Sequence, residues 1–289
     1  MGPTDPDPAV RSLEESVRTD FTEAMTYGRY LDLDRLLHAQ HPRSEPAHHD
    51  ELLFIVQHQT SELWLKLVLH ELRGARRFLD EDQLGQALKC LARVKNIQRT
   101  LTEQWSVLAT LTPREYAQFR DALANASGFQ SFQYRAIEFI LGNKNAALLP
   151  VFADEPEAYA LVSALHAEPT VYDAFLRLLA RLDYPIPGDI VHRDVTQPWR
   201  YRAELVPTFR TIYESGDTPW GVYEACESLV DVEDNFQLWR FRHLRTVQRT
   251  IGRKPGTGGS SGVDFLSRAL DLTFFPELYA VRTAIGSDG

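Results

Sequence analysis

Residues 50–79, DELLFIVQHQTSELWLKLVLHELRGARRFL, decide the fold. Leu52, Ile55, Val56, Leu63, Leu67 and Leu72 follow one another at helical spacing along it, not in the alternation a half-buried strand requires. The spacing predicts one long helix, with Asp50 placed to accept hydrogen bonds from its first free amides as an N-cap. Downstream, Leu84, Leu88, Leu91, Val94, Leu101, Trp105 and Leu108 form an apolar stripe that predicts a second long helix. Thr112-Pro113-Arg114-Glu115 then reads as a cap with proline in the first helical position.

Further helices are expected over 130–142, 156–182, 200–215, 219–250 and 262–270. Clean period-two alternation is almost missing, so strands should be minor. Two segments read as irregular: 184–198 (YPIPGDIVHRDVTQP) and 252–261 (GRKPGTGGSS). The second is too rich in glycine for regular structure and is expected to be a mobile loop. No fixed-period repeat and no central Ser/Gly/Pro linker is present. The expected fold is therefore an all-α helical bundle, a single domain over 21–285 with a few helical excursions, preceded by a flexible segment over 1–20. Bundles of this kind hold cofactors between facing helices.

Composition narrows the function. Among 289 residues, 44% are hydrophobic and 25% charged, the balance of an ordinary globular protein. A formal net charge of -9 disfavours nucleic acid, which selects a basic face. No uncharged apolar run approaches the roughly 18 residues of a membrane span, and MGPTDPDPAVRSLEES has no apolar core of a secretory signal. Cys90 and Cys226 are too few and too far apart for a disulfide framework, which suits a reducing cytosol.

Nine histidines occur, and a lone histidine is more often a satisfied polar residue than a ligand. His48-His49-Asp50-Glu51 with His58 suggests a metal, but adjacent histidines point to different helix faces, and no HExxH is present. Phe54 and His58 share a helix face in a mostly apolar stretch, where burial is the commoner role. His243 closes NFQLWRFRH, with Phe236, Trp239, Arg240 and Val247 at three- and four-residue steps beside it. Spacing alone leaves two readings of His243: an axial haem ligand in a greasy wall, or a core histidine. Arginines between Arg240 and Arg253 read either as an ion-paired helix face or as partners for a cofactor's carboxylates. Tyr116 and Arg120 stand four apart in EYAQFR, and a guanidinium there is suited to a carboxylate, or is an ordinary surface charge. GTGGSSG, residues 256–262, lacks the lysine of a phosphate loop, leaving a carboxylate lid or a plain linker.

Taken together the chain resembles the tryptophan 2,3-dioxygenase family in its bacterial form. The likeness runs from about Thr26 to Thr283 through seven motifs in order: TYGRYLDLDRLL, HHDELLFIVQHQTSELWLKL, LTEQWSVLATLTPREYAQFR, SGFQSFQYRAIEFILGNKN, LVDVEDNFQLWRFRH, GTGGSSGVDFL and LTFFPELYAVRT. The resemblance implies that His243 is the axial ligand of a haem b iron. It implies that His58 accepts a hydrogen bond from the indole N–H, that Phe54 packs beside the indole, and that Arg120 pairs with the substrate carboxylate in a pocket shared with Tyr116. Thr257 would contact the amino-acid head group as the loop closes. Tyr27, Tyr30 and Leu31 would reach into a neighbouring subunit of a homotetramer. Arg29 and Ser228 depart from the expected pattern, away from these positions.

The implied reaction inserts both atoms of O₂ across the indole C2–C3 bond of L-tryptophan to give N-formyl-L-kynurenine. Two other outcomes are compatible with the same residues. One is a specialised paralogue oxygenating a substituted tryptophan, such as a β-methyl tryptophan, as a monooxygenase that forms an oxindole. The other is a haem-binding sensor without turnover, against which Arg120 and Thr257 argue, because a gas sensor needs no carboxylate anchor. A non-haem metal site near His48, His49 and His58 comes last.

Overall fold

The computed structural model describes residues 9–11 and 13–286, which fall into two compact units, one ending at His41 and the other beginning at Pro42. The flexible segment expected over 1–20 falls in part on residues 1–8 and 12, outside the described residues. In the first unit two short helices, α1 (Tyr27–Tyr30) and α2 (Leu33–Leu37), bury no side chain, and Thr26 caps α1 by accepting from the Arg29 amide.

The second unit is built on three long helices. These are α3 (His49–Asp80), α4 (Leu84–Glu103) and, much later in the chain, α12 (Trp220–Ile251). Between them run α5 (Trp105–Leu108), α6 (Pro113–Phe119), α7 (Phe132–Leu141), α8 (Pro156–Ala167), α9 (Val171–Arg181), α10 (Gly188–Val191) and α11 (Val206–Glu214). The short α13 (Val263–Arg268) and α14 (Pro276–Ala284) follow α12. Helix α4 packs against both α3 and α12, and α7 and α9 also pack on α3. No strand occurs among the described residues, so the all-α expectation holds. None of the described helices is long and apolar enough to cross a membrane.

Several boundaries differ from the expected ones for local reasons. The stripe expected on one helix from Leu84 to Leu108 breaks at Gln104, and Trp105 and Leu108 occupy a separate turn in a smaller core with Leu111 and Phe119. The segment 156–182 is two helices, because Thr170 opens α9 with a capping box to Asp173 directly after Pro169. Thr112 and Glu115 do form a capping box at the start of α6, with Pro113 inside it. Helix α14, opened by Pro276, was not expected.

Asp50 is not the N-cap of α3; His48 is, and Asp50 lies in the first turn. Glu51, in the same turn, binds the segment that precedes the helix. This buried carboxylate reaches back to the Arg43 amide at 2.7 Å, the Ser44 amide at 3.0 Å and the Ser44 hydroxyl at 2.5 Å. Burial alone would raise its pKa, but these donors outweigh it and hold the carboxyl below its usual range. Removing the acceptor leaves the buried Ser44 amide and hydroxyl unpaired, so Glu51→Ala should cost about 1–3 kcal/mol in urea unfolding at neutral pH. Because the folded pKa is depressed, this stabilisation is present above about pH 4.5 and disappears as pH falls through the folded value. Wild type and variant should therefore converge as pH falls below about 4.5; a constant gap would show that the carboxylate's charge is irrelevant.

The residues that mark the helical period of α3 are mostly not its core. Leu52, Val56, Leu63 and Leu67 are exposed, and the buried face is Leu65, Val68, Leu69, Leu72, Ala75 and Leu79. A helix with apolar residues on two sides has the right period on both, and only packing chooses between them.

Candidate active site

Helices α3, α5, α6, α7, α12 and α13 surround a cavity of about 910 Å³, large for a small-molecule site. Phe54, His58, Tyr116, Arg120, His243 and Thr257 all line it, although they span 204 positions of sequence, from 54 to 257. Tyr27, Tyr30 and Leu31 belong to the first unit, on α1 and directly after it, and all three are exposed.

Phe54 and His58 are one turn apart on α3, with ring centroids 4.1 Å apart. The His58 Nδ1–H donates to the Phe54 carbonyl at 2.7 Å, which assigns the tautomer and leaves Nε2 as an acceptor. Burial lowers the His58 pKa more than the Phe54 carbonyl and Glu62 raise it, so the ring is neutral at physiological pH. A neutral acceptor at this place suits a ligand whose polar edge carries only a donor. Phe54 also meets Tyr116 at 5.9 Å and Phe119 at 5.6 Å, forming an aromatic wall beside it.

His243, on α12, stacks on Trp105 with centroids 4.8 Å apart and planes at 14°, and Trp239 lies 5.6 Å away. Burial, then the like charge of His58, lowers its pKa to about 4. The imidazole is thus neutral at pH 7. No hydrogen bond joins either of its ring nitrogens to the described residues, so a lone pair is available for a metal ion. The indole N–H groups of Trp105 and Trp239 are also buried without an acceptor.

Arg240, one turn before His243, settles the two readings of the arginine cluster at its own position. It is buried, donates to Glu138 at 2.8 Å and the Tyr134 hydroxyl at 3.0 Å, and reaches the Ala269 and Leu272 carbonyls. Its guanidinium is committed within the protein and anchors α12 to α7. Arg242, Arg245, Arg249 and Arg253 are exposed.

Arg120 begins the turn after α6, which its capping box and Pro113 position. Its Nη2 donates to the Pro255 carbonyl at 2.7 Å, and its Nε is buried with no partner. Tyr116 lies beside it; burial raises the phenol pKa and the Arg120 charge opposes that rise. Thr257 Oγ1 donates to the Ala126 carbonyl at 2.5 Å. The segment 252–261 is irregular as expected, and the helix expected from 262 begins at Val263; the two bonds tie the segment to residues 120–126.

Trp105 is the participant that sequence reasoning assigned only to a core stripe. Nothing in its spacing distinguishes a tryptophan packed on leucines from one stacked on an imidazole 138 positions later.

Comparison with known proteins places the chain among its relatives. The chain is 67% identical over 277 residues to the tryptophan 2,3-dioxygenase of Kineococcus radiotolerans, covering 96% of this chain and 97% of that protein. It is 63% identical over 276 residues to that of Rhodococcus jostii, covering 96% and 97%. Against that of Serratia proteamaculans it is 57% identical over 277 residues, covering 96% and 99%. The profile of the family described as tryptophan 2,3-dioxygenase matches residues 12–164 and 201–285, which include every lining residue discussed above, and the chain belongs to that family.

Proposed function

We propose that the protein binds haem b through His243 and inserts O₂ across the indole C2–C3 bond of L-tryptophan, releasing N-formyl-L-kynurenine. One observation carries this reading: a neutral imidazole with a free lone pair, a second imidazole presenting an acceptor, and an arginine with an unused donor line a single cavity. The donor set fits a haem. The neutral His243 nitrogen would hold the haem iron, and Trp105 and Trp239 would give the group a largely aromatic wall. When bound, the haem supplies the redox-active iron that O₂ chemistry needs.

The rest is positioning. His58 Nε2 accepts the indole N–H, which is a donor only, and so fixes the ring's orientation. Phe54 packs on the indole. Arg120 takes the carboxylate with its free donors, and Thr257 borders the same end of the ligand. A ligand without a carboxylate would leave the guanidinium unpaired, which selects the amino acid over bare indoles. The deciding experiment is mass spectrometry of products from haem-loaded, reduced protein given L-tryptophan and ¹⁸O₂. Two labelled oxygens in N-formylkynurenine are expected; one, or turnover of a substituted tryptophan alone, would replace this reading with the specialised paralogue.

The chain is also proposed to act as a homotetramer. Leu52, Val56, Leu63 and Leu67 form a stripe within one side of α3, each 38–49% exposed, and Tyr27, Tyr30 and Leu31 add further exposed apolar surface. A second copy of the chain would cover such surface, and a monomeric mass by light scattering would refute this. The two buried, unpaired thiols suit a cytosolic location.

A further inference from the structure

The segment 255–262 meets residues 120–127 at a point with no room for a side chain. A Cβ on Gly258 would stand 2.6 Å from the Ser127 Cβ and 2.9 Å from its Oγ. Neither carbon can rotate away, because each is fixed to its backbone. Ser127 is itself held in place: its amide donates to Gln130 Oε1 at 3.2 Å and its hydroxyl accepts from the Phe129 amide at 3.3 Å. Any side chain at 258 must therefore move the loop. Within the loop, the Gly256 amide donates to the Ser260 carbonyl at 3.0 Å. Gly262 adopts φ +62° with its Cβ direction 2.6 Å from the Lys254 carbonyl, so this turn too requires glycine.

Residues around Gly258, among them Thr257, Ser127 and Arg120, line the cavity. Thr257 holds the Ala126 carbonyl, and Pro255 takes Nη2 of Arg120, whose Nε remains buried and unpartnered. One guanidinium thus serves both the loop and the cavity. Fixing Nη2 on Pro255 orients the remaining donors before a ligand arrives, which lowers the ordering cost of binding.

We propose that Gly258 is a positioning residue: the absence of a side chain there seats segment 255–262 on Ser127, and that seat sets Thr257 and the free donors of Arg120 toward the ligand's carboxylate end. The identity of the ligand rests on the function proposed above; the seat rests on the contacts alone. Docking of the loop and binding of the carboxylate strengthen each other through Arg120.

The seat is tested without turnover by limited trypsin digestion of the full chain. Arg253 is exposed at the base of the loop, and Lys254 is followed by Pro255, so the loop is cut after Arg253. Gly258→Ala should be cut at least tenfold faster than wild type, and the Ser127→Gly/Gly258→Ala double variant should regain wild-type protection. In the haem-loaded enzyme Gly258→Ala should raise KM for L-tryptophan by about tenfold to a hundredfold while kcat changes less. Wild-type cleavage of Gly258→Ala, or a double variant cut as fast as Gly258→Ala, would overturn the proposal. Normal protease protection in a wild-type protein that does not oxidise L-tryptophan would instead refute the proposed function and leave the seat standing.

Discussion

His243→Ala is expected to fold and to lack the protein-bound, wild-type Soret band when titrated with haem. The ring is a half-buried partner of Trp105 and Trp239, and its truncation removes a stacking contact worth about 0.5–1.5 kcal/mol, too little to unfold a domain of this size. What disappears is the proposed nitrogen donor. Lowered to about pKa 4, the imidazole carries no proton that must leave before coordination, so its contribution to haem binding is available at neutral pH. The space left by the ring should admit free imidazole, and adding it should restore the Soret band to His243→Ala. His58→Ala should keep the band, because its Nδ1–H is tied to the Phe54 carbonyl and its role is toward the substrate. A wild-type Soret band in His243→Ala without added imidazole would overturn the ligand assignment.

Arg120→Leu is expected to weaken productive binding of L-tryptophan by about 2–5 kcal/mol, roughly 30- to 5,000-fold, as for a desolvated charge pair that loses one member. Two effects act in the same direction. The carboxylate loses its cation, and the loop loses the Nη2 bond to Pro255. Tryptamine, which has no carboxylate, separates them: its turnover should fall only by the loop's share, so preference for L-tryptophan over tryptamine should collapse. Arg120→Lys keeps the charge but cannot donate to the loop and the ligand from one planar fork, and it should fall between wild type and Arg120→Leu. Unchanged kinetics with L-tryptophan in Arg120→Leu would place the carboxylate elsewhere.

Much of this protein can be read from its residues in order. The three- and four-residue spacing of leucine, isoleucine and valine determined that its regular structure is helical, because a helix repeats its face every 3.6 residues wherever it packs. Thr112-Pro113-Arg114-Glu115 determined where α6 begins, because a capping box is made within four consecutive residues. The seven motifs determined the family, which the comparisons confirm. Each of these signals is local or is the sum of many positions.

Tertiary structure alone decided three other matters. It chose the buried side of α3, turning Leu65, Val68 and Leu72 inward and leaving Leu52, Val56, Leu63 and Leu67 exposed, because two apolar faces have the same period and only neighbouring helices break the tie. It gave Glu51 the Arg43 and Ser44 amides as donors, because the chain before α3 folds back over the helix's first turn. It brought Trp105 onto His243, and Arg120 onto Pro255 135 residues away. Spacing along a chain records which residues share a helix face. It carries no record of which faces meet, and the chemistry of this cavity lies in that meeting.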